Sequence, residues 1–428
     1  MIRFCALIGA FIVLFFALPA AAQDDSRADR FGFDDGTGAA PIDPFLYDGQ
    51  PVEAGGFRLW PNLTFEQAYT DNVLAGENNR QSDFVSILRP HLRLEKAFGR
   101  HHTGLEVQGE ARRFWQHGHE NEINAGATLR ALVEARRSLR FPLRVDYVTD
   151  HADRKTQRQP LQADLTREPL EHHKGSFGAG VVYQPGRLAL SLLGGYEEQR
   201  FEDGVLAGGG PAVRRDGDFN AAQAEIKISY ETGTGWQPYV AALYRRQDYL
   251  RRAYTGTGFS GMSRNHDMAR LRAGLSFDYK GLLYGFFETG HESRDYEDPA
   301  AQNTAGLSLA GHITWEPAQT LRLSLGLAHD TEEDSIARAA IEKTSGDLRL
   351  DYEIRHNIFA RLQGGYESEE FIGIARHDDT VSGGLELRAI LSPRLQLGAG
   401  YLYESRDSSA TGASYGENVL MLRLTGAL

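Results

Sequence analysis

The sequence predicts an all-β protein: a transmembrane antiparallel β-barrel of about eighteen strands, both termini periplasmic. Three observations carry this. First, short stretches alternate strictly between apolar and polar residues. In Leu348-Arg349-Leu350-Asp351-Tyr352-Glu353-Ile354-Arg355, the odd and even positions of a strand would face opposite sides. Second, the gaps between such stretches are alternately tight and long. Third, Leu420, Leu422, Leu424, Gly426 and Leu428 carry one apolar face to the last residue. A face of four charges wants water and its opposite wants lipid, which a closed barrel provides without exposing backbone to hydrocarbon.

The elements follow in chain order. Arg3, the apolar run Leu7 to Leu18 and the small residues Ala20-Ala21-Ala22 read as a signal peptide over 1–22. The only cysteine, Cys5, lies inside it, so the mature chain would have no thiol chemistry. Residues 23–54, with Asp24-Asp25, Asp34-Asp35-Gly36 and several Gly and Pro, read as a flexible periplasmic leader; a lumen plug or a partner-binding segment are the competing readings. The barrel is assigned to 55–428.

Eight tight turns are expected at Phe98-Gly99-Arg100, Ala135-Arg136-Arg137-Ser138, Gln184-Pro185-Gly186, Thr232-Gly233-Thr234-Gly235, Lys280-Gly281, Glu316-Pro317-Ala318, Arg355-His356-Asn357 and Ser392-Pro393. Nine longer loops are expected near 71–82, 115–122, 149–174, 200–218, 248–266, 291–302, 330–344, 368–378 and 405–416. Seventeen connections make eighteen strands. The alternation recurs in Leu105 and Val107 against Glu106, Gln108 and Glu110. It recurs in Leu271, Ala273, Leu275 and Phe277 against Arg272, Gly274, Ser276 and Asp278. A soluble sandwich also alternates, but this many one-sided strands would need a very large core.

Aromatic residues fall at two heights. Tyr183, Tyr230, Tyr279 and Trp315 directly precede tight turns, and Tyr147, Tyr196, Tyr244, Tyr366 and Tyr403 lie toward the long loops. This is the expected pair of interfacial girdles. The mean hydropathy of -0.42 fits a barrel whose strands are half polar. The net charge of -12 argues against nucleic acid as a partner.

The predicted inner face carries Arg93, Glu106, Glu110, Arg130, Arg144, Asp146, Lys227, Arg272, Asp278, Arg322, Arg349, Asp351, Glu353, Arg361, Glu386 and Arg388 as pore-lining residues. Both signs are present, which suits a hydrophilic solute and sets no dominant ion selectivity. Many of these charges would also pair across strands and stiffen the wall. The third long loop is the longest, and Arg154, Lys155 and Arg158 mark it as a candidate constriction loop. An outward, solvated loop is the alternative.

Motifs for other chemistry lose to simpler readings. Gly412-Ala413-Ser414-Tyr415-Gly416 has the nucleophile-elbow pattern but precedes a strand rather than a helix. Gly256-Thr257-Gly258-Phe259-Ser260-Gly261 has no following helix to hold a pyrophosphate. The groups His101-His102, His117-x-His119 and His172-His173 read as surface histidines, with no Cys and no helical pair to make a metal site. No catalytic residue, metal or cofactor is assigned. The competing classes are a lipid-modifying outer-membrane hydrolase, dependent on Ser414 or a His, and a plugged structural or adhesive barrel.

Two stretches, Leu59-Trp60-Pro61-Asn62-Leu63 and Tyr69-Thr70-Asp71-Asn72-Val73, carry a resemblance to a known family. So do Ser82-Asp83-Phe84, Arg89-Pro90-His91-Leu92-Arg93-Leu94, Phe98-Gly99-Arg100-His101, Arg167-Glu168-Pro169-Leu170-Glu171-His172-His173 and Gln184-Pro185-Gly186-Arg187-Leu188. The chain resembles the "putative beta-barrel porin 2" family of Gram-negative bacteria over most of its mature length. The resemblance implies an outer-membrane channel with outer-membrane lipid around it and the barrel-assembly machinery as its partner in biogenesis. Barrels of this class usually end in an aromatic residue, and here Leu428 stands instead. Some relatives lie among exopolysaccharide secretion genes, so the resemblance also suggests polysaccharide as cargo and a periplasmic export partner, by analogy alone.

Overall fold

The computed structural model describes residues 50–157, 166–256, 258–334 and 339–427. The predicted signal peptide, most of the leader, Arg158 and Leu428 lie outside the described residues. The wall strands are β1 (Phe57–Thr70), β2 (Asp83–Phe98), β3 (His101–Phe114), β4 (Glu122–Arg136), β5 (Leu139–His151) and β6 (Glu171–Tyr183). Next come β7 (Leu188–Phe201), β8 (Phe219–Tyr230), β9 (Trp236–Tyr249), β10 (His266–Tyr279), β11 (Leu283–Tyr296) and β12 (Thr304–Ala318). The last six are β13 (Leu321–Asp334), β14 (Ala339–Arg355), β15 (Ile358–Phe371), β16 (His377–Ser392), β17 (Leu395–Ser408) and β18 (Tyr415–Ala427). Each pairs antiparallel with its sequence neighbours. β18 closes the wall on β1, from Asn62 opposite Ala427 to Thr70 opposite Val419. Closure leaves no open edge, so every strand has its backbone partners inside the sheet.

Period-two alternation decides which face is which. Leu271, Leu307, Leu327, Leu362 and Leu422 are exposed on the outer face, Leu271 to 65%. Their neighbours in sequence turn inward, and Arg270, Arg272, Ser308, Arg361, Gln363 and Arg423 among them are polar or charged. All nine aromatic residues expected at the two girdles are exposed on the outside. The Lys280-Gly281 turn shows why its residues were legible. Both have positive φ, 58° and 69°, as a two-residue hairpin turn of matching twist requires. Asp278 Oδ1 accepts the Gly281 N–H at 2.7 Å.

Several boundaries differ from the sequence reading. Strands β11 and β13 to β18 run further outward than expected: the loops after β11, β15 and β17 shrink to 297–303, 372–376 and 409–414, and β13 and β14 reach Asp334 and Ala339. Toward the loops the strict alternation breaks down, as in His329-Asp330-Thr331-Glu332-Glu333 of β13. Glu316 to Ala318 stay in β12, with a register shift between Trp315 and Ala318, so that turn falls at 319–320. Val52–Ala54, within the residues assigned to the leader, form a short strand paired with Phe57 to Leu59. The third loop carries a one-turn helix, α1 (Arg154–Gln157), and the fourth a small hairpin pairing Gly204–Val205 with Pro211–Ala212.

The inner wall is not uniformly polar. Ala68, Val85, Ile87, Leu402 and Val419 form a buried apolar patch, joined by Phe114 and Met421. It lies on the inner face at the β17-β18-β1-β2 seam, where the barrel closes.

Candidate functional site: the barrel interior and the third loop

The inner face is built from alternating charges. One run crosses from β16 to β4. Arg423 Nη1 lies 2.9 Å from Glu386 Oε1, and its Nε 2.9 Å from Glu66 Oε2. Arg89 reaches Glu66 at 3.0 Å and Glu110 at 2.6 Å. Arg112 then joins Glu110 at 2.5 Å to Glu122 at 3.1 Å. Glu66 meets both of its guanidiniums through Oε2, and Glu110 meets Arg89 through Oε2 and Arg112 through Oε1, so each buried carboxylate lies between two positive charges.

A second network lies on β8 to β13. Arg272 contacts Glu225 at 2.5 Å and Glu288 at 3.4 Å, and Tyr239 Oη donates to Glu288 at 2.9 Å. Arg270 pairs with Glu292 and, at 3.3 Å, with Asp330. Arg294 contacts Glu292 at 3.0 Å.

The structure places the other predicted residues as follows. Glu106 meets His91 at 3.0 Å and Arg130 at 3.6 Å. Arg93 covers the Trp60 ring at 4.3 Å, and Lys227 covers Tyr239 at 4.5 Å. Arg144 donates to Asp146 at 2.7 Å, Arg322 to Glu316 at 2.8 Å and Arg361 to Asp351 at 2.6 Å. Arg349, Glu353 and Arg388 also fall on the inner face by register. Asp278 is spent at the rim, capping its turn. The sequence reading missed Glu66, Arg89, Arg270, Glu292 and Arg294. Arg89 follows the inward apolar residues Val85 and Ile87, so β2 shows apolar residues on both faces and its parity is hidden.

Arg154 and Lys155 of the third loop both reach other elements. Arg154 on α1 donates from Nε and Nη2 to Glu120 at 2.6 Å each, and from Nη1 to the Thr166 carbonyl at 2.8 Å. It therefore ties the third loop to the second rather than facing open solvent. Lys155 Nζ lies 2.8 Å from Glu404 on β17 and 3.0 Å from Glu417 on β18. Arg406 Nη1 donates to the Lys155 carbonyl at 3.2 Å. Burial works against the Lys155 charge, but Glu417, Asp153 and Glu404 outweigh it and hold the ammonium well above the usual lysine range. Residues 166 and 167 join the fourth loop: Thr166 bridges Leu206, and the Arg167 N–H donates to the Val205 carbonyl at 2.7 Å.

Two residues of the rejected motifs, Ser414 and His117, have structural partners. Ser414 Oγ accepts the Ser408 N–H at 3.0 Å, which closes the last loop. His117 Nδ1 lies 2.9 Å from Asp83 and its Nε2 2.7 Å from Gln81.

A closed wall of eighteen strands, apolar and aromatic-girdled outside and charged inside, defines an outer-membrane β-barrel of the porin class. The chain belongs to the family described as "Putative beta-barrel porin 2", whose model matches residues 43–428. It is an outer-membrane channel for solute passage. Its fold is similar to OccK2 (OpdF) of Pseudomonas aeruginosa, solved in complex with glucuronate: 12% identity, TM-score 0.45, covering 86% of this chain and 98% of that one. A BenF-like porin from Pseudomonas fluorescens Pf-5 is similar at 12% identity and TM-score 0.46, covering 86% and 99%. No curated protein matches the chain.

Proposed function

We propose that the barrel passes hydrophilic solutes passively, without catalysis, and that the third loop narrows its outer mouth. The observation that supports this most directly is Lys155. It stands four residues past the end of β5, yet it is fastened to β17 and β18, with β1 to β4 lying between. A loop held this way lies across part of the opening instead of standing clear of it. Barrels of 16–18 strands typically leave an aqueous channel, and a wall of paired charges keeps it wet. The pore-lining residues and the constriction loop are parts of this proposal. Polysaccharide export and a periplasmic export partner gain no support from the fold or from the family match.

Single-channel conductance of the refolded protein in planar bilayers tests the reading. A steady open-channel current is expected, and deletion of residues 154–167 should raise it. Absence of current would overturn the channel reading, and an unchanged current after the deletion would overturn the constriction. Addition of oligosaccharide separates a general hydrophilic pore, which stays unblocked, from a polysaccharide-passing one.

A further inference from the structure

We propose that Glu171, His173 and Glu202 form a divalent-cation site on the outer rim of the barrel, matched best to zinc. This stands apart from what the lumen conducts. Glu171 and His173 are two apart on β6, so both side chains leave the same, outer face. Glu202 follows β7 directly, and its N–H donates to the Glu171 carbonyl at 2.9 Å, which sets the two carboxylates side by side.

Three features point to a cation site. His173 Nε2 lies 3.9 Å from Glu171 Oε1 and 3.8 Å from Glu202 Oε1, and one ligand atom from each residue falls within 4.8 Å of the others. These gaps are too long for hydrogen bonds. They are within reach of two ligands sharing one zinc ion at about 2.0–2.2 Å each, after a small side-chain adjustment. Second, among the described residues no lysine or arginine pairs with either carboxylate. Arg200, opposite His173, is turned away to the Phe219 carbonyl at 2.7 Å and Asn220 at 2.6 Å. Two adjacent carboxylates therefore lack a counter-charge other than the imidazole. Third, the ligands are held in place. The Tyr147 ring stacks on His173 with an interplanar angle of 12°, and Thr149 Oγ1 donates to Glu171 Oε1 at 2.8 Å.

One imidazole and two carboxylates suit zinc better than the oxygen-loving magnesium or calcium. The site joins the root of the third loop, at Glu171, to the root of the fourth, at Glu202. A bound ion would brace the two loops that already meet at Thr166 and Leu206.

Isothermal titration of Zn²⁺ into the refolded full-length protein tests this, with His173→Ala and Glu202→Gln as variants. One specific equivalent is expected, weakened by about tenfold or more in each variant and not displaced by equimolar Mg²⁺ or Ca²⁺. Circular dichroism and gel mobility of the unheated variants confirm an intact barrel. The exposed Glu202→Gln change keeps the test valid should His173→Ala misfold. Wild-type protein that binds no zinc, or binds it equally after both substitutions, would overturn the site. Displacement by Mg²⁺ or Ca²⁺ would overturn the assignment to zinc.

Discussion

Lys155 Nζ lies 2.8 Å from Glu404 Oε1, a bond between the third loop and β17. On the proposed reading, it makes the third loop a strap across the mouth. The same ammonium holds Glu417, which also accepts from Thr70 Oγ1 at 2.6 Å, so the strap lands on the seam where β18 meets β1.

Lys155→Ala should release this strap. Removal leaves Glu404 and Glu417 largely buried without their shared cation, a local cost on the order of 3 kcal/mol. Single-channel recordings should show a larger and noisier current than wild type, and Lys155→Glu should show a stronger effect. A current identical to wild type in both variants would contradict the strap.

The strap should also resist alkali. The Lys155 pKa is raised above its ordinary 10.5 by the surrounding carboxylates. For a group with a raised folded pKa, the stabilisation is fully present below the unfolded value and disappears as pH rises through the folded one. Conductance should therefore be flat from neutral pH to about 10 and rise only at higher pH. In Lys155→Ala that alkaline rise should be absent.

Arg89 bridges two carboxylates that are almost wholly buried, Glu66 and Glu110. Arg89→Met should destabilise the barrel by about 3–5 kcal/mol, because it leaves the buried Glu66 and Glu110 with one guanidinium each, Arg423 and Arg112. Urea unfolding in detergent micelles measures this. Converting Glu66 and Glu110 to Gln in the same chain should recover much of the loss, which a purely steric role for Arg89 would not allow.

Leu422 is 61% exposed on the outer face of β18. Leu422→Arg should cost about 2–4 kcal/mol if that face meets the hydrocarbon core. Folding into lipid vesicles, followed by gel mobility, reads the effect. Stability equal to wild type would argue that this face is in water.

Much of the fold was legible because it is local. Leu348 to Arg355 declare their two faces within one strand, and Lys280-Gly281 declares a hairpin turn within two residues. The legibility fails where one face carries mixed signals. Val85 and Ile87 point inward and are apolar, so Arg89 and its network were hidden among residues that looked lipid-facing. It fails again toward the third-last loop, where β13 continues through His329-Asp330-Thr331-Glu332-Glu333 as polar residues on both faces. The third loop was identified by its length and charges, but Arg154 and Lys155 turned out to have different tasks. One binds the second loop and the other binds the seam.

The sequence by itself determined the strand rhythm, the direction of side chains in the cleanly alternating strands and hence a barrel with lipid outside and charge within, because period-two patterning is written residue by residue. Only the tertiary structure decided that β18 closes on β1, that Glu66 shares Arg89 with Glu110, and that Lys155 spans to Glu404. Those contacts join residues distant in the chain. Their geometry depends on the register and curvature of the whole wall, which no local pattern encodes.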